Sequence, residues 1–105
     1  MVRGDVHAIT LPRSRGRVQH GRRFAVIVQA DDLLALSTIV VCPTSTSTPP
    51  ASFHPEVEVG EEPTRVMCEM VGAVDARMLG EQVGHLTFDE VRSIEDALQL
   101  VLDLS

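Results

Sequence analysis

Apolar residues along most of the chain fall in short alternating or continuous blocks, and only the last twenty residues adopt a three- and four-residue spacing. That pattern predicts several strands followed by one helix. In residues 5–10, Val6, Ala8 and Thr10 alternate with Asp5, His7 and Ile9, as a first strand would. The β-branched run Phe24-Ala25-Val26-Ile27-Val28-Gln29 and the run Thr38-Ile39-Val40-Val41-Cys42 predict two strands covered on both faces, the second stopped by Pro43. Between them, residues 33–37 admit one helical turn. Glu56-Val57-Glu58-Val59 reads as a half-buried edge strand with its acids in water, and Gly60-Glu61-Glu62-Pro63 as the turn after it. A further strand is expected over residues 65–71, holding Val66, Met67, Cys68 and Met70. Residues 74–79 predict a short strand and turn, and Gly80 to Gly84 lead on to Thr87.

Thr87-Phe88-Asp89-Glu90 has the form of a capping box, with Leu86 and Val91 placed as a hydrophobic staple. Phe88, Val91, Ile94, Leu98 and Val101 then predict an amphipathic C-terminal helix whose apolar stripe meets the core. Two segments carry no period. Residues 11–21 hold Pro12, Gly16 and Gly21, and a long irregular connection in a small domain is more often functional than idle. Residues 44–52 form a hydroxyl-rich stretch ending in Pro49-Pro50, which cannot pack a core and is expected to be exposed and mobile. Together these elements predict a mainly β protein with helices, an α+β fold in which a small, strongly bent antiparallel sheet or barrel is covered on one face by the terminal helix.

With 105 residues the chain suits a single domain spanning 1–105, and its core must come from aliphatic side chains, since it has no Trp or Tyr and only three Phe. The apolar runs are too short for a membrane span and the N-terminus lacks a signal peptide's apolar stretch, so a cytoplasmic protein is expected. Cys42 and Cys68 each lie inside an apolar run and read as core residues rather than a disulfide or metal pair. Charge changes the picture most. Net charge is −6, yet residues 1–30 hold six arginines against one acid, while residues 31–105 hold three arginines against fourteen acids. Lysine is absent. A basic stripe on an acidic body can steer a polyanion to one face, and arginine engages two phosphate oxygens at once. A solvated arginine-rich loop would have the same composition.

Several segments, in order, resemble the MazF/PemK family of toxin endoribonucleases. Arg3-Gly4-Asp5-Val6 resembles the family's first strand, followed by a loop containing Gly16. Arg23 precedes a buried strand ending in Gln29, and Thr38-Ile39-Val40-Val41 leads to Pro43-Thr44-Ser45. Glu69-Met70-Val71-Gly72-Ala73-Val74-Asp75 and Gly84-His85-Leu86 resemble two later segments. The resemblance covers nearly the whole chain. It implies an SH3-like barrel shared with the CcdB gyrase poisons, a homodimer, cleavage of single-stranded RNA without metal or other cofactor, and a cognate MazE-like antitoxin whose acidic extended tail occupies the RNA groove. By motif position the family's catalytic Arg falls on Arg23 and its catalytic Thr on Thr44. Departures from the family stand at Phe24, where Pro is usual, at Val18, near an acidic position, and at Met70 and Gly72, where polar residues are common.

RNA carries its own nucleophile, the 2′-OH beside the scissile phosphate. Arg23 would stabilise charge on the phosphoryl oxygens and Thr44 would donate a hydrogen bond there, with Ser45 or Thr46 able to serve instead. Arg13, Arg15, Arg17 and Arg22, with Ser45 and Thr46, are the expected RNA contacts, the arginines acting on the backbone. His20 is the candidate general base by its chemistry, set against a loop histidine with no partner. His7, His54 and His85 share no spacing and read as structural. Only Phe24 and Phe53 lie near the proposed site as stacking surfaces. Alternatives are a non-enzymatic toxin that poisons a protein such as gyrase, an SH3-like binding module, which usually needs an aromatic groove, and a degenerate family member.

Overall fold

The computed structural model describes residues 1–10 and 23–104. Arg13, Arg15, Arg17, Val18, His20 and Arg22 lie outside the described residues. The strands are β1 (Asp5–Ile9), β2 (Arg23–Ile27), β3 (Thr38–Ser45), β4 (Glu56–Val59), β5 (Glu62–Val66), β6 (Gly72–Asp75) and β7 (Leu79–His85), followed by the helix α1 (Phe88–Leu102). All pairings are antiparallel, in the order β4-β5-β3-β2-β1-β7, with β6 also on β3. The sheet curls until its two ends meet. A Cβ built on Gly84 of β7 would lie 3.7 Å from Cγ1 of Val59 in β4. The expected bent antiparallel barrel with a C-terminal helix is therefore the architecture found.

Strand β3 produces the curl. Along one edge it pairs with β2; along the other, residues 38–41 pair with β6 and residues 44–45 with β5. Pro43, expected to stop the strand, instead lies within it. Val28 N donates to Val40 O (3.1 Å), so by the alternation of an antiparallel ladder Pro43 takes a non-hydrogen-bonded position opposite Ala25. On the other edge the β5 register places it opposite Met67, whose N donates to the Pro43 carbonyl (2.8 Å); the Met67 carbonyl, which an N–H at position 43 would have met, accepts instead from Met70 N (3.0 Å).

Both faces of the central strands are covered, so the alternation expected for β1 gives way to almost continuous burial. Val6, Val26, Cys42, Val57 and Val66 form one core with Ile94 and Ala97 of α1. Ile9, Ala25, Ile27, Ile39 and Val41 form a second on the opposite face. Each fully buried Ile or Leu contributes about 2 kcal/mol, more than a cap or a surface ion pair supplies. Cys42 and Cys68 are buried and unpaired by disulfide. The segment Arg3-Gly4-Asp5 ties the fold together. Arg3 Nε donates to Val28 O (3.0 Å) and its Nη1 pairs with Glu95 of α1. Gly4, at φ +96°, donates to Ile27 O (2.8 Å) and accepts from Leu86 N (3.0 Å). Buried Asp5 accepts from Val2 N (2.8 Å), Gln82 Nε2 (3.1 Å) and His85 Nδ1 (2.7 Å).

The strand expected over 65–71 starts earlier and ends at Val66, because Gly60 and Glu61 alone make the turn, both with positive φ (59° and 70°). Glu62 and Pro63 thereby enter β5, and Cys68–Met70 forms a single 3-10 turn. Leu79–His85, which showed little pattern because of Gly80 and Gly84, is a full strand. The possible helical turn at 33–37 is a 3-10 turn that begins two residues earlier, Asp31–Leu33.

The capping box of α1 is present. Thr87 Oγ1 accepts from Glu90 N (3.2 Å) and Glu90 Oε1 from Thr87 N (2.8 Å), while Glu90 Oε2 accepts from Glu58 N (2.8 Å), pinning the helix start to β4. Fifteen residues are marginal as a free helix, so the stripe of Val91, Ile94, Ala97, Leu98 and Val101 on the core holds α1 in place. Phe88 does not join that stripe; it is 75% exposed. At the first helical position its side chain leans back past the helix start, where Leu86 already fills the core, and the Arg92 guanidinium stands 6.0 Å from its ring.

Thr87→Ala is expected to lower stability by about 1 kcal/mol, read from urea unfolding midpoints. At Glu61, relief of about 1–2 kcal/mol of left-handed strain exceeds glycine's entropic cost, so Glu61→Gly is expected to raise stability by roughly 0.5–1 kcal/mol in the same measurement.

Candidate nucleic-acid interface

At one end of the curled sheet, strands β2, β3 and the β4–β5 hairpin leave a cleft of about 300 Å³. Its walls include Arg23 and Phe24 from the start of β2, and Thr44 and Ser45 from the end of β3, followed by Thr46 and Ser47. The hairpin completes it with Val59, Glu62 and Thr64. The fold thus brings together four residues proposed from the sequence, Arg23, Thr44, Ser45 and Thr46. Adjacent antiparallel strands make this happen, since the first residue of β2 and the last turn-proximal residues of β3 share one end of the sheet.

Arg23 is partly buried, and its Nε, shielded from solvent, has no hydrogen-bond partner among the described residues. A guanidinium so placed is suited to an anion entering the cleft. Thr44 is 5% exposed and its Oγ1 donates a long bond to Phe24 O (3.4 Å). Such a weak bond is readily exchanged for a stronger acceptor. Ser45 and Ser47 are linked through their hydroxyls (3.1 Å).

The hydroxyl-rich segment after β3 is largely exposed, as expected, yet it is clasped at two successive carbonyls. Arg65 Nη1 donates to Thr48 O (3.3 Å), and its Nη2 lies 3.6 Å from Glu56. His54 Nδ1 lies 2.8 Å from Pro49 O, and its Nε2 lies 2.8 and 3.0 Å from the two Glu69 oxygens. Both ring nitrogens thus face acceptors, and only the doubly protonated ring serves both. The hydrogen bond to Glu69 raises the His54 pKa above its ordinary value, burial opposes this, and the Pro49 carbonyl adds to the rise. Phe53 packs edge-on to that ring rather than lining the cleft.

The remaining histidines are engaged elsewhere: His7 Nδ1 with Gly80 O (2.9 Å) and His85 with Asp5. Burial works to raise the Asp5 carboxyl, but the Val2 N–H and His85 outweigh it and hold it below the usual range. Among the described residues no three His, Cys, Asp or Glu side chains group as a metal site would require. Nor, among them, is any helix long and apolar enough to cross a membrane. Glu62 and Thr64 were not singled out from the sequence. Their signal was the alternation Glu62, Thr64, Val66, which puts all three on one face of β5.

A family model for the PemK-like, MazF-like toxins of type II toxin–antitoxin systems matches residues 2–102. The chain belongs to this toxin family. A protein of Mycobacterium tuberculosis strain H37Rv, named as a candidate toxin, is 33% identical over 106 aligned residues, 99% of each chain. Among solved structures, an endoribonuclease from a mycobacterial species in complex with its cognate antitoxin superposes with a TM-score of 0.82 at 18% identity, covering 100% of this chain and 97% of that one. The M. tuberculosis toxin MazF-mt6 gives 0.80 at 19% identity, covering 96% and 98%. These likenesses show the MazF fold.

Because His54 has a raised pKa in the folded state, its contribution to stability is fully present below its unfolded value and is lost as pH rises through the folded value. The stability difference between wild type and His54→Asn is therefore expected to be largest near pH ~5.5 and to shrink by pH ~9, measured by urea unfolding at both.

Proposed function

We propose that this toxin is a metal-independent endoribonuclease that cleaves single-stranded RNA at short sequences. The observation that carries this reading is the convergence of Arg23 and Thr44 on one cleft with the hydroxyls of Ser45 and Thr46. The 2′ oxygen attacks the adjacent phosphorus, the P–O5′ bond breaks, and the products are a 2′,3′-cyclic phosphate and a 5′-hydroxyl. Arg23, whose shielded Nε has no hydrogen-bond partner among the described residues, stabilises the charge that builds on the phosphoryl oxygens. It acts as a charge, since a guanidinium seldom gives up its proton. Thr44 exchanges its long bond to the Phe24 carbonyl for one to phosphate. Phe24 offers a face for a stacked base at the cleft edge. Arg13, Arg15, Arg17 and Arg22 supply backbone contacts that make binding salt-sensitive.

The working species is a cytoplasmic homodimer of single-domain chains, held inactive by a cognate MazE-like antitoxin whose acidic extended segment competes for the RNA groove. Family membership supports both assignments, as does the mycobacterial fold relative described with its antitoxin.

The test is incubation with long single-stranded RNA in excess EDTA, with mapping of cut ends and assay for cyclic phosphate. Discrete cuts are expected, falling at least ~10²-fold in Arg23→Ala and in Thr44→Ala, with partial recovery in Thr44→Ser. Cuts that persist in both alanine variants would remove the site assignment; absence of cutting by folded wild type would favour a protein-poisoning toxin.

A further inference from the structure

Transfer of the 2′-OH proton requires a base, and neither Arg23 nor the hydroxyls that line the cleft accept a proton at neutral pH. Among the described residues of the cleft, Glu62 is the one that does. We propose that Glu62 is the general base of the RNA cleavage described above, an assignment that rests on that reading.

Its position follows from the strand register. Thr44 lies opposite Val66, Val57 opposite Thr64, and Val59 opposite Glu62. Side chains on one strand alternate between faces, so Glu62, Thr64 and Val66 share the face that carries Thr44. Along this row exposure rises outward, from Val66 at 0% through Thr64 at 8% to Glu62, which is exposed. The row therefore runs from the core to the cleft mouth and ends on a carboxylate. The turn enforces this direction. With only Gly60 and Glu61 between the strands, Glu62 is locked into the β5 ladder opposite Val59, itself packed on the core and part of the cleft wall. Adjacent Glu61 turns away and borders a different depression, with Glu58 and Glu90.

The step balances without a co-reactant. The Glu62 carboxylate takes the 2′ proton as the 2′ oxygen bonds to phosphorus; the P–O5′ bond breaks; the departing 5′ oxygen takes a proton from water; and Glu62 returns its proton to solvent. Arg23, the other charged side chain among the described residues of the cleft, offsets the repulsion between this carboxylate and the phosphate.

The experiment compares wild type, Glu62→Gln, Glu62→Asp, Glu58→Gln and His20→Gln in single-turnover cleavage of a mapped RNA site across pH, using the full chain in EDTA. Binding is measured separately with single-stranded DNA of the same sequence, which lacks the nucleophile. Glu62→Gln is expected to lose roughly 10²-fold or more in rate, to lose the fall in rate on the acid side, and to bind the DNA as tightly as wild type or more so. Glu62→Asp is expected to recover part of the rate, and Glu58→Gln all of it. The assignment is overturned if Glu62→Gln cuts like wild type, if it loses binding alone, if it only changes the sequence cut, or if His20→Gln abolishes the acid-side fall instead. In each of those cases the wild type still cuts RNA and the ribonuclease reading stands. A wild type that cuts no RNA removes both.

Discussion

Strand β3 holds two partners on one edge, β6 along its first half and β5 along its second, and must bend between them. The exchange at Pro43 turns the sheet back on itself, brings β4 within reach of β7, and leaves Thr44 and Ser45 where the barrel opens. Because β2 follows the same strand along its other edge, the register that pairs Ala25 with Pro43 also delivers Arg23 to that opening. The proline is compatible with all of this because the Met67 carbonyl opposite its absent N–H is satisfied by Met70 N.

Around this bend a set of polar side chains fixes the ends of the elements. Arg3 reaches from the N-terminus to the β2 exit and to α1, and Gln29 bridges Leu33 O (2.7 Å) and Val40 N (3.0 Å) where β2 has run out. Arg65 and His54 hold two consecutive carbonyls of the hydroxyl-rich segment from separate elements. That segment is irregular in conformation but determined in position. The Cys42 thiol shows the contrasting case of a group excluded from chemistry: the neighbouring Cys68 first, and burial second, push its pKa well up, so it remains a small apolar filler.

How far the sequence could be read followed from how local each feature is. The helix was legible from Thr87 and Glu90, whose reciprocal bonds span three residues, and the edge strand from the strict alternation of Glu56 to Val59. Pro43 and Pro63 misled because proline is judged by its own backbone, whereas here the neighbouring strands decide whether its N–H is needed. Phe88 misled because spacing assigns it to the stripe while the direction of its side chain takes it off the end. The candidate residues Arg23 and Thr44 came from family resemblance, and their meeting in space required the register of β2 on β3. Glu62 and Thr64 belong to a hairpin about twenty residues further along the chain, and only the pairing of β5 on β3 makes them neighbours of that pair.

The two cores on opposite faces of β2 and β3 have a consequence for sequence drift. Their members are mostly small and medium aliphatic residues, which exchange for one another at little cost when volume is kept. A scaffold of that kind constrains hydrophobicity and size far more than identity. The proposed site, by contrast, rests on a few side chains at strand ends. Such a protein can replace four-fifths of its residues and keep its shape, as the fold relatives at 18–19% identity have done.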